Sequence, residues 1–149
     1  MHFWLWLKSE KKSIELAILY GFVGDCLTET SAFRAASNHY EKAMLVLKEL
    51  YDEETVDFAV LYRRQGWLAH QQQNLEKALT FLNKADAIFE KEQTQTYAEE
   101  AAKVKFSLGL VTFDSLQYQE SKLHFNAAFQ AYHEIFPTGH ISLAKTLFL

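Results

Sequence analysis

A spacing of small residues that occurs twice at one offset constrains this chain more than any other feature. Gly66, Ala78 and Ala85 are matched by Gly109, Ser121 and Ala128, each 43 positions later. The flanking residues agree: Leu82 pairs with Phe125, Asn74-Leu75-Glu76-Lys77 with Gln117-Tyr118-Gln119-Glu120, and Ala59 with Ala102. Small residues at a fixed repeat inside helical text mark stacked helical hairpins. Each hairpin needs a point where two helix backbones come close, and each buries its apolar face on the next.

Composition agrees with an all-α chain. Pro137 is the single proline and there are five glycines, too few to supply the turns that a many-stranded β protein needs. The 49% hydrophobic and 23% charged residues are ordinary globular values, so a length of 149 residues suits one domain, 1–149, with a substantial core. A net charge of -4 argues against nonspecific nucleic-acid binding, which is driven by lysine and arginine neutralising phosphates. Cys26 is the only cysteine, so no intramolecular disulfide forms and a cytoplasmic location is the default expectation. The aromatic start, residues 1–7, is too short to span a bilayer and its charges follow the apolar run. It reads as a segment buried on a helix or a partner, with no membrane span.

Apolar periodicity predicts helices over about 12–23, 26–37, 40–51, 55–71, 75–91, 97–115 and 118–136, and the start of another near Ile141. Gly21 and Gly24 read as the end of the first helix, which makes 1–24 an N-terminal capping segment, and Asn38-His39 reads as a turn. The short links at Gln72-Gln73-Asn74 and Leu116-Gln117 force antiparallel neighbours. Pro137-Thr138-Gly139 breaks the last hairpin, since proline lacks the amide donor and disfavours helix in the residue before it.

With these residues in place, the chain resembles the tetratricopeptide repeat family, whose consensus puts small residues at positions 8, 20 and 27 of a helix-turn-helix unit. Taking Ala59 as position 1 places Gly66, Ala78 and Ala85 there, with Leu82 at position 24. Ala102 does the same for Gly109, Ser121, Phe125 and Ala128, with serine for alanine as a mild departure. An earlier unit carries weaker marks, with its glycine place on Ser31, position 20 on Ala43 and position 27 on Leu50. The later units are lengthened by about two helical turns relative to that one, and are similar to the long repeats of kinesin light chains. The resemblance implies a right-handed α-solenoid of about three units. Ala144-Lys145-Thr146-Leu147-Phe148-Leu149 matches the beginning of a fourth, either a fragment of a longer array or a cap on the last hairpin. Exposed Leu143, Leu147, Phe148 and Leu149 in that stub would favour homo-oligomers through the terminal helices.

No catalytic machinery is visible. His133-Glu134 begins like a zinc-protease motif, but Pro137 stands where the second histidine belongs. Glu120 and His124 share a helix face and read as a surface hydrogen bond, not a metal site. Cys26 has no neighbouring base, and there is no phosphate loop, nucleophile elbow or dinucleotide fingerprint. The expectation is a non-enzyme with neither cofactor nor metal.

The resemblance further implies an inner face lined by first-helix positions 2, 5, 6, 9, 12 and 13. In the unit starting at Ala59 these hold Val60, Arg63, Arg64, Trp67, His70 and Gln71. In the next they hold Lys103, Phe106, Ser107, Leu110, Phe113 and Asp114. Arginine and tryptophan are enriched at binding hot spots, and two of the three arginines lie here. These residues read either as packing between units or as a peptide groove in which Arg63, Arg64 and Lys103 meet carboxylates while Trp67 and Phe106 hold apolar side chains. The family's chaperone-tail readers carry asparagine at position 9, where this chain has Ala32, Trp67 and Leu110, so that activity is not expected. The expected function is a protein- or peptide-binding scaffold. The alternative is a ligand- or peptide-sensing module of a larger bacterial regulator.

Overall fold

In a computed structural model that describes residues 13–92 and 95–137, the chain forms three antiparallel helical hairpins. They are α1 (Ile14–Glu29) with α2 (Phe33–Leu50), α3 (Val56–Gln71) with α4 (Leu75–Lys91), and α5 (Ala98–Asp114) with α6 (Tyr118–Ile135). A single 3-10 turn, Gln95–Tyr97, precedes α5. Each hairpin packs on the next through its first helix, so that α1 touches α3 and α3 touches α5, while α2 and α4 lie against the first helix that follows them. The arrangement is an all-α solenoid. No helix among the described residues is long and apolar enough to cross a membrane.

The three hairpins turn the same way. Each first helix ends with a middle link residue at positive φ, Ser31 at 62°, Gln73 at 61° and Leu116 at 64°. The amides of Ala32, Asn74 and Gln117 reach back to the carbonyls of Leu27, Ala69 and Thr112, at 2.8, 2.9 and 2.9 Å. Those of Ser31, Gln73 and Leu116 reach Thr28, His70 and Phe113. This paired bonding is the Schellman closure, which satisfies helix-end carbonyls that would otherwise be orphaned.

Within each hairpin a glycine lies under the side chain sixteen positions later. A Cβ at Gly66 would stand 2.9 Å from Leu82 Cγ, one at Gly109 2.6 Å from the Phe125 ring, and one at Gly24 2.5 Å from the Tyr40 ring. Ala36, Ala43, Ala78, Ala85 and Ala128 are all essentially inaccessible. Ser121 is buried too, and its hydroxyl donates to the Gly109 carbonyl at 2.8 Å. The serine that departs from the alanine pattern thus fills an alanine-sized space and has its polar group satisfied.

The first hairpin corrects the sequence reading. Helices expected at 12–23, 26–37 and 40–51 are two, with Gly21, Gly24 and Cys26 inside α1 and Asn38-His39 inside α2. The glycine place falls on Gly24, not Ser31, position 20 on Ala36, not Ala43, and position 27 on Ala43, not Leu50. Residues 14–24 are therefore most of a paired first helix and not a separate cap. The spacing from Ala36 to Ala59 is 23 residues, against 24 from Ala78 to Ala102, so the first unit is not two turns shorter than the others. Glycine disfavours a helix interior by about 1 kcal/mol, but that local preference yields to the close approach of Tyr40. The fourth-unit stub at 144–149, its oligomer patch and the aromatic segment 1–7 lie outside the described residues.

Candidate functional site

The first helices α1, α3 and α5 lie side by side and present one polar-and-aromatic face. Position 2 to 13 residues of α1, once the register is moved, are Ile18, Gly21, Phe22, Asp25, Thr28 and Glu29. The sequence reading missed them because it placed the first unit seven residues late. The signal was present: Gly24, Ala36 and Ala43 repeat the 12- and 19-residue offsets of Gly66, Ala78 and Ala85.

Arg64 crosses from α3 to α1. Its Nε donates to Asp25 Oδ2 at 3.0 Å, and its guanidinium lies 4.9 Å from the Phe22 ring centroid. Gly21 leaves room for it, with Arg64 Nη1 3.1 Å from where a Cβ would be. Asp25 Oδ1 accepts the Tyr40 hydroxyl at 2.7 Å, and the Thr28 hydroxyl donates to the Gly24 carbonyl at 2.9 Å. Burial first, then hydrogen bonding and charge from Asp25, pushes the Tyr40 phenol well above its ordinary pKa, so it stays a donor. A continuous polar chain therefore ties the first hairpin to the second.

Further contacts cross between hairpins. Arg63 donates to Glu100 of α5 at 3.3 Å, and Lys103, on the next turn of α5, reaches the same carboxylate at 3.2 Å. Burial works to raise the Glu100 pKa, but Arg63 and Lys103 outweigh it and hold the carboxyl below its usual range. His70 lies 2.6 Å from Asp114 on α5. Trp67 sets its indole nitrogen 3.2 Å from Glu29 on α1 and stands edge-on to His70, with centroids 5.7 Å apart.

The expected site residues fall into three groups. Arg63, Arg64, Trp67 and His70 are brought together with carboxylates of neighbouring hairpins, and Lys103 with Glu100 of its own helix. Gln71 and Phe113 are exposed at the helix ends, with Phe113 against Tyr118 at 5.3 Å. Phe106 packs on Phe125 of its own hairpin at 5.9 Å, and Leu110 is half-buried. Position 9 across the three hairpins reads Asp25, Trp67 and Leu110, with Asp25 where the sequence reading had Ala32. An asparagine ladder is absent in either register.

Beside this network a cleft of about 220 Å³ opens between α1 and α3. Ile18, Phe22, Val60 and Leu61 form its apolar walls, and Asp57, Arg64 and Glu100 its polar edge. Ile18 and Phe22 are 39% and 52% exposed, large values for such side chains inside a solenoid. Among the described residues no group of three or more His, Cys, Asp or Glu side chains is placed to hold a metal ion. Burial, then Lys105, lowers the pKa of His124 and favours its neutral form.

Comparison with protein families finds the tetratricopeptide repeat model over residues 15–91. Among solved structures, the chain is similar to BtubC (BKLC) from P. vanneervenii, a kinesin light chain-like repeat protein. The TM-score is 0.74 at 18% identity, over 87% of this chain and 51% of that one. The likeness is one of fold, and this chain spans about half of that protein's length. No curated protein sequence gives a significant match.

Proposed function

Because the chain belongs to the tetratricopeptide repeat family, whose repeats generally act as non-enzymatic protein-interaction scaffolds, we propose that it binds a protein segment along the face of α1, α3 and α5. The observation that carries this reading is the run of aromatic and charged side chains on one face, from Phe22 through Arg64 and Trp67 to Phe113. Trp67, Gln71, Leu110 and Phe113 would contact the segment directly. Arg63, Arg64, His70, Lys103 and Phe106 would hold the surface in shape, since each is already engaged within the solenoid.

The test is affinity capture from native lysate with the parent chain, a Phe113→Ser/Gln71→Lys double variant, and a Leu123→Ser control on α6. Leu123 is 69% exposed and belongs to a second helix. Partners that are lost with the double variant and kept with the control support the inner face. The opposite pattern would move the interaction to the second helices.

A further inference from the structure

The charge pairing on the inner face determines what kind of segment it suits. Arg64 is paired with Asp25, and Arg63 and Lys103 share the one carboxylate of Glu100, so much of their positive charge is engaged within the chain. Among the described residues Glu29, Asp57 and Asp114 have no lysine or arginine partner. Glu29 is met by an indole N–H and Asp114 by His70. Glu29 and Asp114 are also the last residues of α1 and α5, and neither helix has a basic residue in its last turn. A carboxylate there opposes the negative end of the helix dipole, so helix stability does not explain either one.

The cleft walled by Ile18, Phe22, Val60 and Leu61 lies on the same face. At about 220 Å³ it is smaller than the roughly 300–1,000 Å³ usual for a small-molecule site, and suits one large side chain. From Phe22 to Glu29 α1 rises about 10 Å, the reach of about three residues of extended chain.

Resting on the inner-face reading above, we propose that the partner is a cationic-apolar peptide segment. It places an aliphatic or aromatic side chain in the Phe22 cleft and, about three residues away, a lysine or arginine beside Glu29, with Asp114 adding negative charge further along the same face. This reverses the charge expected from the arginines alone, because tertiary pairing engages them with Asp25 and Glu100.

Two fluorescein-labelled peptides test this against the full chain by anisotropy. One carries Trp-Leu at its centre with a lysine pair about three residues to either side, and the other has glutamates for the lysines. The lysine peptide should bind, and weaken on adding salt. A Glu29→Gln/Asp114→Asn variant, which keeps an oxygen acceptor for the Trp67 indole and the His70 ring, should bind it about fivefold or more weakly. Phe22→Ala should weaken it as well. Preference for the glutamate peptide overturns the charge assignment and leaves the inner face in place. Lysine-peptide binding unchanged by both variants overturns the inner-face reading itself. Binding of neither peptide overturns the proposal, with the capture experiment still deciding the face.

Discussion

At the scale of single residues, two glycines three positions apart in α1 do different work. A Cβ at Gly24 would stand within 2.9 Å of three ring atoms of Tyr40. That ring cannot give way, because Tyr40 is 0% exposed and its hydroxyl is held by Asp25. Gly21 faces only the far end of Arg64. Gly24→Ala should therefore lose about 1–3 kcal/mol to overpacking. Gly21→Ala should match or exceed the parent, since alanine is up to about 1 kcal/mol better in a helix interior. Thermal melts of the two variants check this, and equal losses would contradict it. Gly66→Leu and Ala78→Leu should each cost about 1–3 kcal/mol for the same reason of crowding.

Glu100 supplies a pH-dependent contribution at the same scale. Its folded pKa is held down by Arg63 and Lys103, below an unfolded value of about 4.3. Stability from this group is thus present above the unfolded pKa and is lost as pH falls through the folded one. Glu100→Gln should lower Tm near neutrality, and the difference from the parent should narrow as the pH falls below the ordinary carboxylate range. A difference that stays constant across that range would show that Glu100 acts by packing and not by charge.

Among the elements, the hairpin turns stand out because none of the three positive-φ residues is glycine. A side chain in the left-handed region is disfavoured by about 1–2 kcal/mol, and glycine returns part of that gain through unfolded-state entropy. Leu116 is 71% exposed, so its side chain adds little packing. Leu116→Gly should raise stability by about 0.5–1 kcal/mol, seen as a higher urea midpoint at unchanged slope. Helix boundaries also separate by element. The bounds expected for α4 coincide with those observed, those for α3 and α6 differ by one residue at one end, and those for α5 by one residue at each end. The α1 and α2 bounds were lost because two glycines and an Asn-His pair have turn character by propensity, while their helical state goes with the packing of Tyr40 between α1 and α2.

Across the whole molecule, a linear array draws its stability from hairpins and the joints between them. The middle hairpin has neighbours on both sides. Nine residues of α3 are buried, against three of α6: Ser121, Ala128 and Tyr132. Amide exchange should accordingly be slowest in α3 and faster in α6, and uniform protection would show that the solenoid opens only as one unit.

By itself the sequence determined that this is a helical repeat, because small residues at crossing points and apolar helix faces are local, periodic requirements written into Gly66, Ala78, Ala85 and their counterparts. The family resemblance, and not the spacing itself, implied one face for Arg63, Arg64, Trp67 and Lys103. Only the tertiary structure decided the register of the first hairpin, where Tyr40 and not leucine or phenylalanine covers the glycine. It alone decided the electrostatic character of that face as well, since Arg64 meets Asp25 across 39 positions and Arg63 meets Glu100 across 37. Charge pairing at such separations depends on how hairpins stack, and no local spacing encodes it.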